Sequence, residues 1–164
     1  MSPPTNARVI DIRIAPGARL PSTAPKSVTI ETGHGIAGDR YENATHRQVT
    51  VQSIDEIAEA EAEVGRRLEP ALTRRNITIE GGLLDRTPGA RLTVGEVELE
   101  VVRDAAPCKL LEDTLGRDAK LALHKRAGVV CRTLTGGVVS IGDLVRLGGD
   151  TSVRETQESD REAG

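Results

Sequence analysis

Alternating hydrophobic and polar residues run through most of the chain and predict a protein built mainly of β-strands. The alternating segments are rich in β-branched residues, and clusters of Gly or Pro separate them. Gly95-Glu96 predicts a hairpin turn, and Gly136-Gly137 predicts a turn between the last two strands. The pattern as a whole predicts strands at residues 8–14, 26–31, 48–51, 76–80, 91–94, 97–102, 128–134 and 144–147.

One segment has the spacing of a helix instead. Ser53 and Glu56 have the spacing of a capping box, and apolar residues then recur every three or four positions as far as Gly65. The pattern therefore predicts a helix that begins after Ser53 and ends at Gly65. Its acidic residues are expected to form a solvated outer face; they are Glu56, Glu59 and Glu63.

The remaining segments complete a mixed α/β, β-rich fold. Residues 33–39 hold three glycines within six positions, which predicts an irregular loop rather than a helix or strand. Apolar spacing predicts short helices at residues 110–115 and 118–126. These helices are few and short, so we expect the sheet to dominate the fold.

Length and composition set the domain organisation. The chain has 164 residues, enough for one domain, and aromatic residues make up only 1% of it. Nucleic-acid partners are not expected, because a base-stacking surface needs exposed aromatic side chains. Residues 149–164 hold five acidic and two basic residues with little apolar content, which predicts a disordered acidic tail after a domain at residues 1–148.

The sequence favours a protein that neither enters a membrane nor leaves the cell. No run of about 18 apolar residues occurs, and no apolar signal region precedes Arg8. We therefore expect a cytoplasmic protein. In that reducing compartment Cys108 and Cys131 are expected to stay free thiols.

Cys108 is the strongest candidate for chemistry in the chain. It follows Pro107, precedes a basic residue and a predicted helix, and lies five residues after Arg103. A helix N-terminus and nearby cations both stabilise a thiolate, which suits either a soft metal ligand or a nucleophile. The alternative is a buried, inert cysteine, which is our interpretation of Cys131 within an apolar strand.

Two further segments are candidates for binding an anion. The glycine loop before Arg40 can present backbone N–H groups, although a plain turn is the more common use of such a loop. Arg74 and Asn76 are expected on one face of a strand, with Arg75 on the other, as an anion clamp or as ordinary solvated charges. The three histidines lack zinc-ligand spacing; they are His34, His46 and His124.

A series of short motifs lies in order along residues 28–147. The motifs are Gly38-Asp39-Arg40, Arg47-Gln48-Val49, Arg74-Arg75-Asn76-Ile77, Pro88-Gly89-Ala90-Arg91-Leu92, Val94-Gly95-Glu96, Pro107-Cys108, Gly136-Gly137 and Ile141-Gly142-Asp143. Their order and spacing together resemble the MOSC domain family.

The resemblance implies a barrel-like fold and a family role in binding molybdenum cofactor or carrying sulfur. Cys108 matches the cysteine that binds metal or sulfur in the family, and Arg74 and Asn76 match polar cofactor contacts. Further candidates for cofactor binding fall in or beside matching motifs; they are Asp39, Arg40, Gln48, Arg75 and Arg103.

The chain also departs from the family pattern. Tyr41 stands where many relatives carry His, and no domain that would donate electrons or sulfur is recognisable, so the resemblance implies a stand-alone member with a separate donor protein. Pyridoxal phosphate is associated with the wider family, but no lysine can be named as its Schiff-base partner.

Three functions therefore stay open at the level of sequence. The first is a molybdenum-cofactor protein in which Cys108 binds the metal and a small substrate, such as an N-hydroxylated compound, is reduced. The second is a metal-free sulfur-transfer enzyme or carrier that uses a Cys108 persulfide and a small sulfur acceptor. The third is a noncatalytic binding module in which Cys108 is structural.

Overall fold

The computed structural model describes residues 7–17 and 20–147. Its strands are β1 (Ala7–Ile12), β2 (Ser27–Glu31), β3 (Gly35–Ile36), β4 (Val49–Ser53), β5 (Ile77–Glu80), β6 (Arg91–Val94), β7 (Val97–Asp104), β8 (Val129–Thr135), β9 (Gly137–Ser140) and β10 (Leu144–Leu147). Its helices are α1 (Ile54–Val64), a 3-10 helix (Pro70–Thr73), α2 (Lys109–Leu115) and α3 (Arg117–Ala122).

Seven strands close into a barrel in the order β1-β10-β6-β7-β8-β4-β5, with β5 pairing back onto β1. Every neighbouring pair is antiparallel except β4 and β5. A parallel pair needs a crossover connection, and α1 with the 3-10 helix provides it. Inward-facing Val, Ile and Leu side chains fill the barrel, which confirms the predicted β-rich mixed fold with a barrel-like sheet.

Helix α1 begins and ends where the sequence predicts. The Ser53 side chain accepts a hydrogen bond from the Asp55 backbone N–H at 3.2 Å, and Gly65 ends the helix in the left-handed region at φ 75°. A left-handed residue is the usual end of a helix, and glycine adopts it without strain. The cap thus confirms both helix boundaries.

The helices form a second apolar layer outside the barrel. Ile57 and Ala60 of α1 pack with Leu111 of α2 and with Ala119 of α3 in one buried cluster. This packing fixes the start of α2, the helix that directly follows Cys108, against the rest of the protein. The position of Cys108 is therefore set by a packed core rather than by a free loop.

Two glycine-containing segments form strands that the sequence pattern does not predict. Gly137–Ser140, expected to begin with a turn, forms β9, and Gly35–Ile36 forms β3 inside the predicted irregular loop. Both strands pair with β2 in a small separate sheet. The prediction was wrong here because pairing with β2, local for β3 and long-range for β9, outweighs the weak strand preference of glycine.

The prediction of a solvated acidic face on α1 is also partly wrong. Glu56 is only 2% exposed, because its carboxylate accepts hydrogen bonds from the Arg86 guanidinium and from the Leu84 backbone N–H. Glu59 and Glu63 do lie toward solvent and form ion pairs with Arg126. A buried carboxylate with a charged partner has no signature in helical periodicity.

Other boundaries differ by a few residues. Helix α3 ends at Ala122, shorter than the predicted segment 118–126, and Lys125 adopts a positive φ of 60° in the turns that follow. Residues 1–6, 18–19 and 148–164 lie outside the described part of the chain, and so does the predicted acidic tail at 149–164.

The barrel leaves no space for a side chain at Gly128, immediately before β8. An added Cβ would overlap the backbone oxygen of Val51, and φ is +99°. Gly89 has a similar φ of +93° but open space around it. We expect Gly89→Ala to lower the free energy of unfolding by about 1 kcal/mol from backbone strain, and Gly128→Ala by about 2 kcal/mol more from overlap.

Urea unfolding of both variants measures the difference. The matched φ values make Gly89→Ala the control for backbone strain. Equal losses in the two variants would contradict the close approach of β4 to the segment before β8.

Candidate functional site

Cys108 lies on the surface, where the chain leaves β7 and enters α2. Its backbone is extended, and it is the N-cap residue of α2, with its carbonyl accepting the Glu112 N–H at 3.0 Å. The thiol makes no side-chain capping hydrogen bond. Cys108 is exposed, so its sulfur is accessible to a ligand from solvent.

A buried arginine anchors the segment that carries Cys108. The Arg75 guanidinium donates to the Ala127 carbonyl at 2.8 Å and to the carbonyls of Ala105 and Ala106 at 3.4 and 3.2 Å. Burial, together with the charge of Arg47, lowers the pKa of Arg75 to about 10, while the charge of Cys108 opposes the shift. Arg75 thus holds the approach to Cys108 and adds positive charge beside it.

Two further arginines contact Tyr41, the only aromatic residue of the chain. The guanidinium carbons of Arg40 and Arg47 lie 4.8 and 4.6 Å from the centroid of the Tyr41 ring. The negative face of an aromatic ring attracts cations at this distance. Tyr41 therefore holds two like charges close together on one side of the site.

Arg47 links this pair to the cysteine. Burial lowers the pKa of Arg47, and the charges of Arg103 and Arg40 lower it further, while those of Tyr41 and Cys108 raise it. The Arg47 Nε atom is buried and has no hydrogen-bond partner. Arg47 is thus a crowded cation with a free donor, and its charge interacts with that of Cys108.

Arg74 has the same two properties. Burial lowers the pKa of Arg74, and the charge of Arg40 lowers it further, while Asp39 raises it. Its Nε atom is buried without a partner, and its Nη2 atom donates to the Gly17 carbonyl at 3.3 Å. An anion bound at this cluster would relieve the repulsion and satisfy the free donors.

We name this set the arginine cluster. It lies around Tyr41 and Cys108 and comprises Arg40, Arg47, Arg74, Arg75 and Arg103.

Asp39 and Asn76 support the arginine cluster from inside the protein. The Asp39 carboxylate accepts from the backbone N–H groups of Ala15 at 3.0 Å and Tyr41 at 3.2 Å, and from the Asn76 side chain at 3.3 Å. The Asn76 side-chain oxygen accepts from Thr50 N–H at 3.0 Å. Both side chains are buried. Their hydrogen bonds fix the backbone of the segments that carry Arg40, Tyr41 and Arg74.

Gln48 has a similar supporting position. Its side-chain nitrogen donates to the carbonyls of Gly33 and Ala44, each at 2.8 Å, and its oxygen accepts from Thr133 N–H at 2.8 Å. These bonds tie the glycine loop to the barrel. The side chain of Gln48 is therefore engaged within the protein, as are those of Asp39 and Asn76.

The predicted candidates fall into two groups in space. Cys108, Arg40, Arg74, Arg75 and Arg103 belong to one region of positive charge, whereas Asp39, Gln48 and Asn76 support it from within.

The sequence-based candidates omit Arg47 and Tyr41. Both lie in or beside the motifs that carry the family resemblance, and Tyr41 is the chain's single aromatic residue. Those two signals were present in the sequence. The role of Arg47 and Tyr41 in the site is visible only from the ring contacts, which bring Arg40 and Arg47 together across six intervening residues.

A metal at this site would need ligands besides those of the protein. Among the described residues, no group of three or more His, Cys, Asp or Glu side chains is arranged to hold a metal ion. Cys108 alone supplies one soft ligand, which suits a metal that arrives already bound to an anionic organic cofactor. The free arginine donors beside the thiol fit the anionic part of such a group.

A protein-family comparison decides the family. The model of the MOSC domain matches residues 35–146, about two thirds of the chain. The chain belongs to the MOSC family. MOSC domains are associated with binding of molybdenum cofactor, and the matched segment contains Cys108 and every member of the arginine cluster.

Solved structures share the fold of this MOSC domain. The YuaD protein from Bacillus subtilis aligns with a TM-score of 0.74 at 19% identity, covering 85% of this chain and 94% of that one. YiiM from Geobacillus stearothermophilus aligns at 0.64 and 18%, covering 86% and 74%. YiiM from Escherichia coli aligns at 0.61 and 16%, covering 85% and 69%. A search of curated proteins finds no significant match.

Membrane insertion through a helix is not indicated by the described residues. None of the helices in residues 7–17 and 20–147 is long and apolar enough to cross a bilayer.

The two cysteines of the MOSC domain differ in exposure, and this predicts different reactivity. Cys131 is fully buried on β8 and burial raises the pKa of its thiol, whereas Cys108 is exposed. We expect a maleimide reagent at neutral pH to label one thiol per folded chain and two per unfolded chain, because only a thiolate in contact with solvent reacts.

Mass spectrometry of the labelled peptides locates the modified residue. Cys108→Ser should abolish labelling of the folded protein, and Cys131→Ser should leave it unchanged. Rapid labelling of Cys131 in the folded protein would contradict the burial of β8.

Proposed function

We propose that this MOSC domain binds a molybdenum cofactor, with Cys108 as the protein ligand of the metal. The observation that carries the proposal is the pair of buried, unpartnered Nε atoms of Arg47 and Arg74 in a cluster whose cations repel one another. Buried donors without partners are rare in folded proteins, because each one costs desolvation free energy. A bound anion would remove that cost.

Each residue of the site has a distinct role in this proposal. Arg40, Arg47, Arg74 and Arg103 hold the anionic arm of the cofactor through charge-assisted hydrogen bonds. Arg75 positions the Cys108 segment and adds to the positive potential.

Asp39, Gln48 and Asn76 act in the proposal through the backbone they fix. The Asp39 carboxylate accepts the Tyr41 N–H at 3.2 Å and so places Tyr41, which in turn contacts Arg40 and Arg47. Asn76 follows Arg74 and Arg75 directly, and its bonds to Thr50 set the direction of that segment. These three residues are therefore positioning residues in the proposal.

The proposed reaction is the two-electron reduction of a small N-hydroxylated compound, in which the N–O bond breaks and two protons and two electrons yield the amine and water. When bound, the cofactor supplies the two-electron redox centre for that reaction. The electrons would come from a separate redox protein. Cys108 and the arginines contribute binding and orientation, and the free thiol of Cys108 fits a reducing compartment such as the cytoplasm.

Sulfur transfer is the second candidate, and the uncapped, exposed thiol of Cys108 favours it. The Cys108 thiolate would attack the outer sulfur of a donor persulfide, forming a Cys108 persulfide and releasing the donor thiol. The terminal sulfur would then pass to a small nucleophilic acceptor held by the arginines. A noncatalytic binding module is the third candidate, in which neither metal nor sulfur is carried.

Metal analysis of protein purified from a host that makes molybdenum cofactor tests the proposal. We expect about one molybdenum per native chain, and a loss of about tenfold or more in Cys108→Ser, because the variant lacks the soft ligand. Cys131→Ser is the matched control and should keep its metal. Molybdenum absent from the native protein, while a known family member prepared alongside contains it, would contradict the proposal.

The same preparation tests the arginine cluster. Arg47→Met should lower the molybdenum content by about tenfold, because it removes a charge and a free donor facing the anion. Arg67→Met, at an arginine whose side chain is 76% exposed, is the control. A Cys108 persulfide found by mass spectrometry in metal-free native protein would support sulfur transfer instead.

A further inference from the structure

A groove lies between the 3-10 helix and α2, beside the proposed site. Its walls include the apolar residues Pro21, Ala71, Leu72 and Leu110, and Arg74 is the charged residue among its described lining. The groove encloses about 380 Å³. Small-molecule sites typically measure about 300–1,000 Å³, so this volume suits a body of one or two rings.

Both walls of the groove continue directly into the site. Helix α2 begins one residue after Cys108, and Leu110 stands in its first turn. The 3-10 helix ends at Thr73, and the next residue is Arg74. Arg74 also lines the narrow crevice formed with Arg40 and Tyr41. Arg74 therefore lies where the groove meets the arginine cluster.

The conformation of Arg74 is unusual for a residue with a side chain. Its φ is 63°, in the left-handed region, where it ends the 3-10 helix. A left-handed residue is a usual end of a helix, so this conformation sets the direction of the chain at Arg74. The sign that Arg74 is arranged to receive a ligand is its buried Nε atom, which has no partner.

The lining of the groove is mixed: Ser22 and Thr114 are polar, and the apolar residues form a wall that is open to solvent. Leu72 is 44% exposed, although it lines a concave surface on which a ligand would remove it from water. The larger groove of about 470 Å³ between α1 and α3 also has exposed leucines in its lining, Leu83 and Leu121. It differs in its charges, because Glu56 binds Arg86 and Glu63 binds Arg126.

We propose that the groove between the 3-10 helix and α2 binds the apolar body of a small organic anion whose charged group lies at Arg74. The identification of this anion as the substrate rests on the proposed function, in which the several N–H donors of Arg74 contact the cofactor arm on one side and this anion on the other. Its binding does not, because the groove and Arg74 are formed by the chain's own residues. The substrate class is thus an aryl- or alkyl-bearing anion rather than a small inorganic one.

Calorimetric titration of the cofactor-free protein with phenylphosphonate and methylphosphonate tests the inference, because the two probes share a charged group and differ in the apolar body. We expect phenylphosphonate to bind about tenfold more tightly, as partial burial of a phenyl ring predicts. Leu72→Ser should remove most of that preference. Leu83→Ser, at a leucine that is 56% exposed on the other groove, should retain it.

Arg74→Gly tests the position of the charged group. Glycine adopts a φ of 63° without strain, so this variant should fold at least as well as the native protein. It should weaken both probes by a similar factor and leave the ratio of their affinities unchanged. Thermal unfolding of each variant verifies the fold.

Three results would overturn the inference. The first is that native protein binds the two probes equally well or binds neither. The second is that Leu72→Ser and Leu83→Ser have equal effects. The third is that Arg74→Gly leaves the methylphosphonate affinity unchanged. The proposed function is judged separately by the molybdenum content. A protein that contains molybdenum but shows no preference for phenylphosphonate would contradict the proposed groove and support the proposed cofactor site.

Discussion

The hydrogen bonds of Arg75 hold the site together. Its buried guanidinium donates to carbonyls just after β7 and just before β8, and so joins three separate parts of the chain. Backbone carbonyls neutralise a cation only in part, so Arg75 keeps a positive potential that reaches Arg47 and Cys108. The same interaction that shapes the Cys108 segment thus makes its surroundings attractive to an anion.

The features that the sequence predicts well are those that depend on local order. The alternation of apolar residues in β6 and β7 and the Gly95 turn between them appear in the structure as a paired hairpin. Ser53 and Gly65 bound α1 as expected, because a cap is made by residues adjacent in the chain. Cys108 is predicted as a candidate from its neighbours alone, and its exposure is consistent with that role.

The features that the sequence does not predict depend on specific contacts in the folded chain. Strand β9 exists because it pairs with β2, more than a hundred residues earlier. The burial of Glu56 depends on Arg86, thirty residues later. The role of Tyr41 in the site follows from its contacts with Arg40 and Arg47. The periodicity of a single sequence carries no information about such contacts.

Ligation of molybdenum by Cys108 within the arginine cluster can be tested by X-ray absorption at the molybdenum edge. Replacing Cys108 with selenocysteine in cofactor-loaded protein changes one ligand atom and leaves the cluster intact. We predict a molybdenum–selenium scattering path that native protein lacks. Molybdenum bound at native content with an unchanged spectrum would contradict the claim, because the metal would then be held without residue 108.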